Sequence, residues 1–500
     1  MPHFHAPYLD YAALAPEIVL SGVLVVVLLL DLLIDELNKA VVTTVAGLGI
    51  LGAGLPVLFL ATSSNHHRVM FGGAYVVDNF ALVLKALFLG TGYVVLLMSM
   101  NYVEEGDFYE GEYSFLLLSS LLGMVVIASS RDLISLFVAL ELLSIPAYLL
   151  AGWRKSDRKS NEASLKYYLL GVLASGVMLY GMSLVFGATG TTVLVDISAK
   201  LNSSGVSALH NARPLVTIGI FFIIVGFAFK VSAVPFHFWA PDTYEGAPTP
   251  ITAFLSVASK TAGFAALLQL VYVGFLGQHH IWGPTFWVLA AASMTVGNLI
   301  ALRQTNIVRM LAYSSIAQGG YILVPFAVAG DNIKAQHTAL TASLVYLLIY
   351  SAMNLGAFAV VIAVARKTRS GEISSYGGMF NYAPGLTMLM TIFMFSLAGI
   401  PPFGGWFAKF YIIRAIFDSG TAWSVVLGVV VAVNSVIGLF YYASVPRQML
   451  MNPVPDGDHT PVRVPAPLSA ALGICLVVVM AIGVYPQIFA HMGDVARLGQ

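Results

Sequence analysis

The stretch Phe229-Lys230-Val-Ser-Ala-Val-Pro235-Phe-His237-Phe-Trp239 closes an apolar segment that covers residues 214–235. Proline removes a backbone hydrogen-bond donor and clashes with the preceding turn, so a helix rarely continues unchanged through it. The sequence therefore predicts a helix that breaks at Pro235, with a lysine just before the break and a histidine just after it.

A second stretch repeats this pattern towards the carboxyl terminus. Pro402-Phe-Gly-Gly-Trp406 shares its proline, phenylalanine and tryptophan with Pro235-Phe-His-Phe-Trp239, in a chain that has only six tryptophans. The two copies lie five apolar segments apart, and an odd offset places them in opposite orientations. We therefore predict two five-helix repeats of inverted topology, residues 113–275 and 284–445, each containing a broken helix.

The composition is that of an integral membrane protein. Of the 500 residues, 58% are hydrophobic and 10% are charged, and the mean hydropathy is +0.86. An ordinary soluble domain has about 25% charged residues. A helix needs about 20 apolar residues to cross the hydrocarbon core. Fourteen segments fit: 14–34, 40–62, 79–100, 113–130, 132–153, 163–187, 214–235, 248–275, 284–301, 306–329, 338–365, 384–417, 421–445 and 467–490.

These segments predict an all-α polytopic fold in which residues 1–500 form a single membrane domain. Segments at 14–100 and 467–490 flank the two repeats. The loops that follow odd-numbered spans hold twelve lysines and arginines, and those that follow even-numbered spans hold six. Because cytoplasmic loops are enriched in these residues, both termini are expected on the outer side.

Five of the eleven lysines fall within predicted spans: Lys85, Lys166, Lys230, Lys260 and Lys409. One charge at the bilayer centre costs about 2.5–3.5 kcal/mol on insertion scales, and intramembrane ionisable residues usually serve a function. Lys85 and Lys166 lie nearer the ends of their spans, where snorkelling to the interface is an equal alternative. Glu17 also lies near a span end, where solvation at the interface is expected.

Glu141 is the one carboxylate near the middle of span five. A buried carboxylate without a partner takes up a proton, whereas a nearby lysine keeps it charged. Glu141 and Lys230 therefore predict a switch in which the distance between the two groups decides when the lysine holds its proton. His237 is a candidate relay between Lys230 and Lys260, because imidazole titrates near neutral pH. A histidine that is merely hydrogen-bonded in the core is the alternative.

Other classes of function find little support. The basic and acidic residues balance at 24 each, which gives no indication of nucleic-acid binding. The single cysteine, Cys475, cannot supply the four thiolates that an iron–sulfur cluster usually takes. The chain contains no phosphate-binding loop, which argues against an ATP-driven pump. We therefore expect no cofactor and no metal on this chain.

The stretch from Phe229 to Asp242 resembles the proton-channel core of the antiporter-like subunits of respiratory complex I. Its continuation, Tyr244-Glu-Gly-Ala-Pro-Thr-Pro250 with Phe254-Leu-Ser-Val-Ala-Ser-Lys260, is similar to subunit N, the bacterial counterpart of mitochondrial subunit 2. Lys409, where subunit M usually has glutamate, and a chain that ends after span fourteen favour N over subunits M and L. The resemblance covers spans four to thirteen.

The resemblance implies roles for six residues in proton translocation. Glu141 and Lys230 form the modulating pair, Lys260 with His237 is the central relay, and Lys409 is the exit group. Lys166 matches a lysine of span six in subunit N. The implied assembly lies in the bacterial inner membrane, with neighbouring antiporter-like membrane subunits. Its peripheral redox arm holds flavin and iron–sulfur clusters, and the quinone is also bound by partner subunits.

Three interpretations remain open at this point. The first is a proton-translocating subunit of an NADH-quinone oxidoreductase, whose pumping is coupled to quinone reduction elsewhere in the complex. The second is a subunit of a multisubunit cation/proton antiporter, which shares the same channel core. The third is a membrane scaffold whose buried charges are structural. The sequence around Lys260 favours the first over the second.

Overall fold

A computed structural model describes residues 9–33, 39–63, 67–105, 110–202, 207–496 and 498, and these residues are nearly all helical. The helices are α1 Ala15–Leu33, α2 Lys39–Thr62, α3 Asn79–Glu105, α4 Glu110–Ser129, α5 Leu133–Ala151, α6 Arg158–Thr189, α7 Leu194–Asn202, α8 Ser207–Lys230, α9 Trp239–Gly246, α10 Thr249–Phe254, α11 Lys260–Gln269, α12 His279–Ala301, α13 Ile307–Val328, α14 Ile333–Thr368, α15 Pro384–Ala398, α16 Gly404–Ser419, α17 Ala422–Met451, α18 Ala466–Val484 and α19 Gln487–Val495.

Shorter elements complete the chain. A π-helical turn, Leu255–Ser259, joins α10 to α11, and a second, Leu270–Gly274, extends α11, so that residues 249–274 form one helical segment. A small antiparallel hairpin, β1 Arg68–Met70 and β2 Tyr75–Val77, precedes α3. Single 3₁₀ turns lie at Phe71–Gly73, Leu276–Gln278, Ile373–Tyr376 and Met379–Asn381.

Thirteen helical segments among the described residues are long and apolar enough to cross a membrane. They coincide with thirteen of the fourteen predicted segments. The remaining segment, 384–417, is divided into the shorter helices α15 and α16. The polytopic all-α fold class is therefore confirmed.

Both predicted helix breaks are present. The first half of span seven, α8, ends at Lys230, and irregular turns over residues 231–238 lead into α9. The first half of span twelve, α15, ends at Ala398, and Gly399 caps it in the left-handed conformation with φ of 85°. Glycine adopts that conformation without a steric penalty. The inverted superposition of the two repeats and their boundaries stay predictions.

Local sequence explains where several spans begin. The carboxylate of Asp132 accepts hydrogen bonds from the backbone N–H groups of Ile134 and Ser135 at the start of α5. The side chains of Asn306 and Asn332 cap α13 and α14 in the same way. Such capping satisfies donors that have no partner inside the helix. The predicted division between spans four and five, close to Arg131, is confirmed by this cap.

The core of the protein is formed by the 249–274 segment and the apolar central stretches of α13 and α14, in which nearly every residue is buried. The helices α1, α6 and α17 lie at the periphery, where fewer than a third of the residues in their apolar stretches are buried and many large apolar side chains are exposed. A peripheral apolar surface of this kind suits contact with lipid or with other membrane helices.

Ion pairs between loops show which loops lie on the same face of the protein. Glu105 after span three pairs with Arg366 after span eleven, and Lys367 pairs with Asp458 after span thirteen. On the opposite face, Arg68 after span two pairs with Asp10 before span one, and Lys334 pairs with Asp418. Loops that follow odd-numbered spans pair with each other, and so do loops that follow even-numbered spans. This agrees with the predicted succession of spans. Which face is cytoplasmic stays a prediction.

Candidate functional site

Lys230 is the last residue of α8 and is buried, with 4% of its surface exposed. Its ammonium donates hydrogen bonds to Ser144 Oγ of α5 at 2.8 Å and to the Tyr167 hydroxyl of α6 at 3.3 Å. The Tyr167 ring stacks on Trp239, the first residue of α9, with ring centroids 4.4 Å apart. The break therefore places Lys230 among neutral oxygens, and both halves of span seven contact the same tyrosine.

Glu141 lies on α5, three residues before Ser144, and is only half-buried. Its carboxylate accepts a hydrogen bond of 2.5 Å from Ser175 Oγ of α6. Among the described residues, no ion pair joins Glu141 to Lys230. The lysine instead contacts the next turn of the helix that carries Glu141. The modulating role of the pair stays a prediction.

Lys260 begins α11, directly after the first π-helical turn, and is 1% exposed. Its ammonium donates to two oxygens of Ser315 on α13, the carbonyl at 2.8 Å and Oγ at 2.6 Å. No carboxylate pairs with Lys260 in the described part of the chain. This lysine is thus held entirely by neutral acceptors in the centre of the molecule.

His237 lies in the irregular turns between α8 and α9 and is buried, with 5% exposed. Its Nδ1 has no hydrogen-bond partner in the described residues. The structure shows no direct hydrogen bond from His237 to Lys230 or Lys260. The relay role of His237 stays a prediction.

Lys409 lies on α16, after the break in span twelve, and is 6% exposed. Its ammonium donates a hydrogen bond of 2.7 Å to the carbonyl oxygen of Ala398, the last residue of α15. It also lies 4.8 Å from the centroid of the Tyr321 ring, within the range of a cation–π contact. Here too the lysine has no carboxylate partner in the described residues.

A chain of buried polar side chains on α13 connects the surroundings of Lys260 with those of Lys409. Ser314, beside the Ser315 that binds Lys260, hydrogen-bonds with the Tyr442 hydroxyl. Gln318, one turn later, donates at 3.0 Å both to Tyr442 and to the carbonyl oxygen of Leu397, whose neighbour Ala398 binds Lys409. Tyr346 donates to the other side of the Gln318 amide.

The sequence analysis missed these connecting residues. The available signal was the spacing Ser314-Ser315-Ile-Ala-Gln318 in an otherwise apolar span, which puts Ser314 and Gln318 on one face of a helix. Hydroxyl groups both donate and accept, so together with buried amines they can pass protons along a chain. The hydroxyl groups of Ser314 and Tyr442 are suited to such a relay, and the Gln318 amide holds the hydroxyls of Tyr442 and Tyr346 in place by hydrogen bonds.

The two lysines near span ends differ. The Lys166 side chain is 40% exposed and pairs with Glu162 at 2.6 Å and Asp242 at 2.7 Å, in the amino-terminal part of α6. It therefore lies outside the buried row that Lys230, Lys260 and Lys409 form. Lys85 is fully buried and pairs with Glu17 of α1 at 2.7 Å, so it does not snorkel. The expectation that Glu17 is solvated is wrong, because α1 packs this residue against α3 and the hairpin.

The sequence matches a known family and its members. Residues 130–435 match the family described as NADH:quinone oxidoreductase/Mrp antiporter, TM. The chain belongs to this family. NADH-quinone oxidoreductase subunit N of Trichlorobacter lovleyi is 38% identical over 483 residues, which are 96% of each chain. The resemblance seen in the sequence is therefore confirmed.

Solved structures of the family have the same fold. A chain of respiratory complex I from Thermus thermophilus with bound aureothin has a TM-score of 0.77 and 30% identity, covering 96% of this chain and 99% of that one. A chain of the Mrp complex from Dietzia sp. has a TM-score of 0.81 and 21% identity, covering 98% and 97%. This second likeness shows the fold alone. The chain is thus an antiporter-like membrane subunit. Its buried lysines Lys230, Lys260 and Lys409 lie within residues 130–435, which match the family.

Proposed function

We propose that this chain is subunit N of a proton-translocating NADH-quinone oxidoreductase and moves protons along its buried lysines. The observation that carries the proposal is that Lys230, Lys260 and Lys409 are all buried without a carboxylate partner among the described residues. An ammonium in such a place is costly, and it becomes neutral when it releases its proton. Each site is therefore able to hold a proton and to pass it on.

The half-buried Glu141 supplies the control in this proposal. Its charge stabilises the protonated form of Lys230, and the effect decreases as the distance between the groups grows. A shift of α5 against α8 changes this distance, since Ser144 on α5 already contacts Lys230 at 2.8 Å. Lys260 with His237 forms the central relay, and Lys409 is the exit group. Lys166 acts on the inner face beside Asp242, outside the buried row.

The surroundings of Glu141 support a protein partner on this face. Four apolar side chains on the same helix are more than half exposed: Ile134, Val138, Ile145 and Leu149. A half-buried carboxylate inside such an apolar stripe is unfavourable against hydrocarbon and favourable against a polar neighbour. We propose that another antiporter-like membrane subunit covers it.

The remaining features of the proposal concern the assembly. The chain lies in the bacterial inner membrane with both termini on the periplasmic side. It binds no cofactor itself, while flavin, iron–sulfur clusters and quinone belong to partner subunits, including a peripheral redox arm. The single cysteine, Cys475, cannot supply the four thiolates that an iron–sulfur cluster usually takes. Redox chemistry and proton movement are then separated in space.

A conservative substitution tests the proposal. Lys260→Arg keeps the charge, but arginine does not release its proton in proteins. In vesicles that contain the whole complex, we expect Lys260→Arg to reduce NADH-driven proton uptake while the complex still assembles. Lys334→Arg is the matched control, because Lys334 is an exposed lysine on the surface. Normal proton uptake by both Lys260→Arg and Lys260→Ala would contradict the proposal.

The second candidate is a subunit of a cation/proton antiporter, which the Mrp-like fold favours. Purification of the native assembly separates the two candidates. Co-purifying redox subunits with NADH-driven proton uptake support the first. Proton movement driven by a sodium gradient, without redox partners, supports the second.

A further inference from the structure

Six charged side chains surround a cleft of about 140 Å³ at the inner end of the first repeat. Three are basic and three are acidic: Lys159, Glu162 and Lys166 of α6, Asp242 and Glu245 of α9, and Arg309 of α13. The cluster lies outside the row of buried lysines. Its charges balance, so it needs no further counter-ion to be stable.

Asp242 is at the centre of the cluster because each of its two carboxylate oxygens binds a different helix. Oδ2 lies 2.7 Å from the Lys166 ammonium of α6, and Oδ1 lies 3.0 Å from the Arg309 guanidinium of α13. Arg309 also pairs with Glu245 at 2.8 Å, and Lys159 pairs with Glu245 at 3.0 Å. The short helix α9 is thus fastened on two sides by charge pairs.

The carboxyl end of α9 is fastened as well. Arg154, in the loop before α6, donates a hydrogen bond of 2.9 Å to the carbonyl oxygen of Gly246. The last carbonyls of a helix have no partner inside it and carry partial negative charge, so a guanidinium is favourable there. Only eight residues long, α9 is held in position by these contacts together with the packing of its buried residues.

The two helices that fasten α9 also carry one acceptor of Lys230 and both acceptors of Lys260. Tyr167, next to Lys166 on α6, accepts from Lys230 and stacks on Trp239 of α9. Ser315, six residues after Arg309 on α13, accepts from Lys260. A movement of α9 that breaks its charge pairs therefore changes the surroundings of both lysines at once.

We propose that Asp242 is a positioning residue that holds α9 between α6 and α13 and so sets the acceptor geometry of Lys230 and Lys260. In this role Lys166 and Arg309 act through Asp242 and do not carry protons themselves. The inference rests on the proposed proton translocation, and it assigns to the surface cluster a part that is distinct from the buried row.

The titration of the cluster agrees with a positioning role. Burial raises the pKa of the Asp242 carboxyl, but hydrogen bonds from Lys166 and Arg309 outweigh burial and hold it below its usual value. Hydrogen bonds from Arg309 and Lys159 lower the pKa of Glu245 in the same way. Both groups stay ionised at neutral pH, and their contribution is lost only when the pH falls through these lowered values.

The test uses Asp242→Asn in the whole complex, with Glu105→Gln as the control. Glu105 forms an ion pair with Arg366 on the same face but has no contact with α9 among the described residues. We expect Asp242→Asn to lower NADH-driven proton uptake by about three- to tenfold, the size of a coupling between residues of one network. The loss should be equal at every pH above the lowered pKa of the Asp242 carboxyl, and Asp242→Glu should restore much of the rate.

A double-mutant cycle with Arg309→Gln separates positioning from other roles. If the two residues act through each other, the thermal midpoint and the pumping rate of the double variant resemble those of Asp242→Asn alone. Additive changes in both would overturn the inference, as would a shifted pH profile, which indicates that Asp242 itself carries protons. If the Asp242→Asn complex does not assemble, Asp242→Glu and Arg309→Lys are measured instead. Pumping rates and thermal midpoints equal to those of the wild type in both variants would then overturn the inference.

The thermal cycle keeps this inference apart from the proposed function. The thermal midpoints of the cycle could be non-additive while Asp242→Asn takes up protons normally. This result would show that the charge pairs exist but do not position any group on which pumping depends. Normal uptake in Lys260→Arg and Lys260→Ala would instead contradict the proposed function, whatever the cycle shows.

Discussion

The ammonium of Lys409 lies 2.7 Å from the carbonyl oxygen of Ala398, across the break that divides span twelve. The final carbonyls of a helix lack internal donors and carry partial negative charge, so they stabilise a cation. Lys230 is itself the last residue of α8, at the corresponding end of span seven. In both broken spans a lysine therefore lies at the carboxyl end of the first half-helix. The backbone dipoles at these helix ends favour the charged form of the lysine, but they do not fix it as firmly as a carboxylate partner would.

The first prediction concerns Gly399, whose left-handed conformation ends α15. A Cβ atom on this residue would lie 2.7 Å from Cδ of Lys409. Gly399→Ala should destabilise the protein by about 1–2 kcal/mol from the backbone conformation alone, and more through this contact. Thermal unfolding of the purified complex measures the loss of stability, and proton uptake measures the effect of displacing Lys409.

Gly385→Ala is the control for this prediction, because a Cβ atom there would meet nothing within 4 Å and the residue lies on the same helix. We expect its midpoint and its proton uptake to stay close to those of the wild type. Equal behaviour of Gly399→Ala and Gly385→Ala would show that the cap does not position Lys409.

The second prediction concerns Glu141 and Lys230. Glu141→Ala removes the charge that favours protonated Lys230, and Lys230→Ala leaves Glu141 without its proposed partner. Both should reduce proton uptake while the complex still forms, and Glu141→Asp should be milder because the charge is kept. Ser144→Ala removes one acceptor of Lys230 and should cost about 1 kcal/mol of stability, the usual value of a hydrogen bond. Wild-type pumping in both alanine variants would mean that the pair is structural.

The third prediction concerns Gln318, which connects Tyr442, Tyr346 and the Leu397 carbonyl. Gln318→Leu should cost about 1–3 kcal/mol, because it leaves buried polar groups without partners. It should also slow proton uptake, since the chain between Lys260 and Lys409 is interrupted. Gln304→Leu is the control, because Gln304 lies in the loop before α13 and its side chain hydrogen-bonds only to the nearby Ile300 carbonyl among the described residues. A stability loss with undiminished uptake would remove Gln318 from the proton path.

The fourth prediction concerns the buried ion pair of Glu17 and Lys85. Removing one partner of a buried pair typically costs about 3–5 kcal/mol, because the other charge is left without compensation. Glu17→Gln and Lys85→Met should therefore each lower the thermal midpoint strongly. The double variant should be less destabilised than the sum of the two. Strict additivity would show that the two side chains do not stabilise each other in the membrane.

Large features of the fold could be predicted from the sequence because they depend on local chemistry. Thirteen spans follow from runs of apolar residues, and both breaks follow from Pro235 and from the glycines and prolines around Pro402. The buried state of Lys230, Lys260 and Lys409 follows from their depth within those runs. These three lysines are the part of the candidate site that the sequence alone makes visible.

The partners of these lysines could not be predicted, because they depend on the rotation and depth of helices far apart in the chain. Ser315 is 55 residues from Lys260, and nothing in the local sequence of either residue indicates the contact. Lys85 and Lys166 look alike in sequence but have opposite surroundings. The helix of Lys166 begins at Arg158, five residues before the predicted start, which moves this lysine towards the charged loops.

The last prediction tests the orientation of the chain. Asp456 is exposed in the loop after span thirteen, and Ile333 is exposed at the start of span eleven on the opposite face. A cysteine at each site can be labelled with an impermeant maleimide, while the native Cys475 is buried and serves as the background. Because odd loops hold twelve basic residues against six, Ile333→Cys should react in intact spheroplasts and Asp456→Cys only in inverted vesicles. The reverse result would turn the chain over and make Lys409 the group nearer to proton entry. Labelling of both from the same side would contradict the succession of spans, and with it the opposite orientation of the two broken helices.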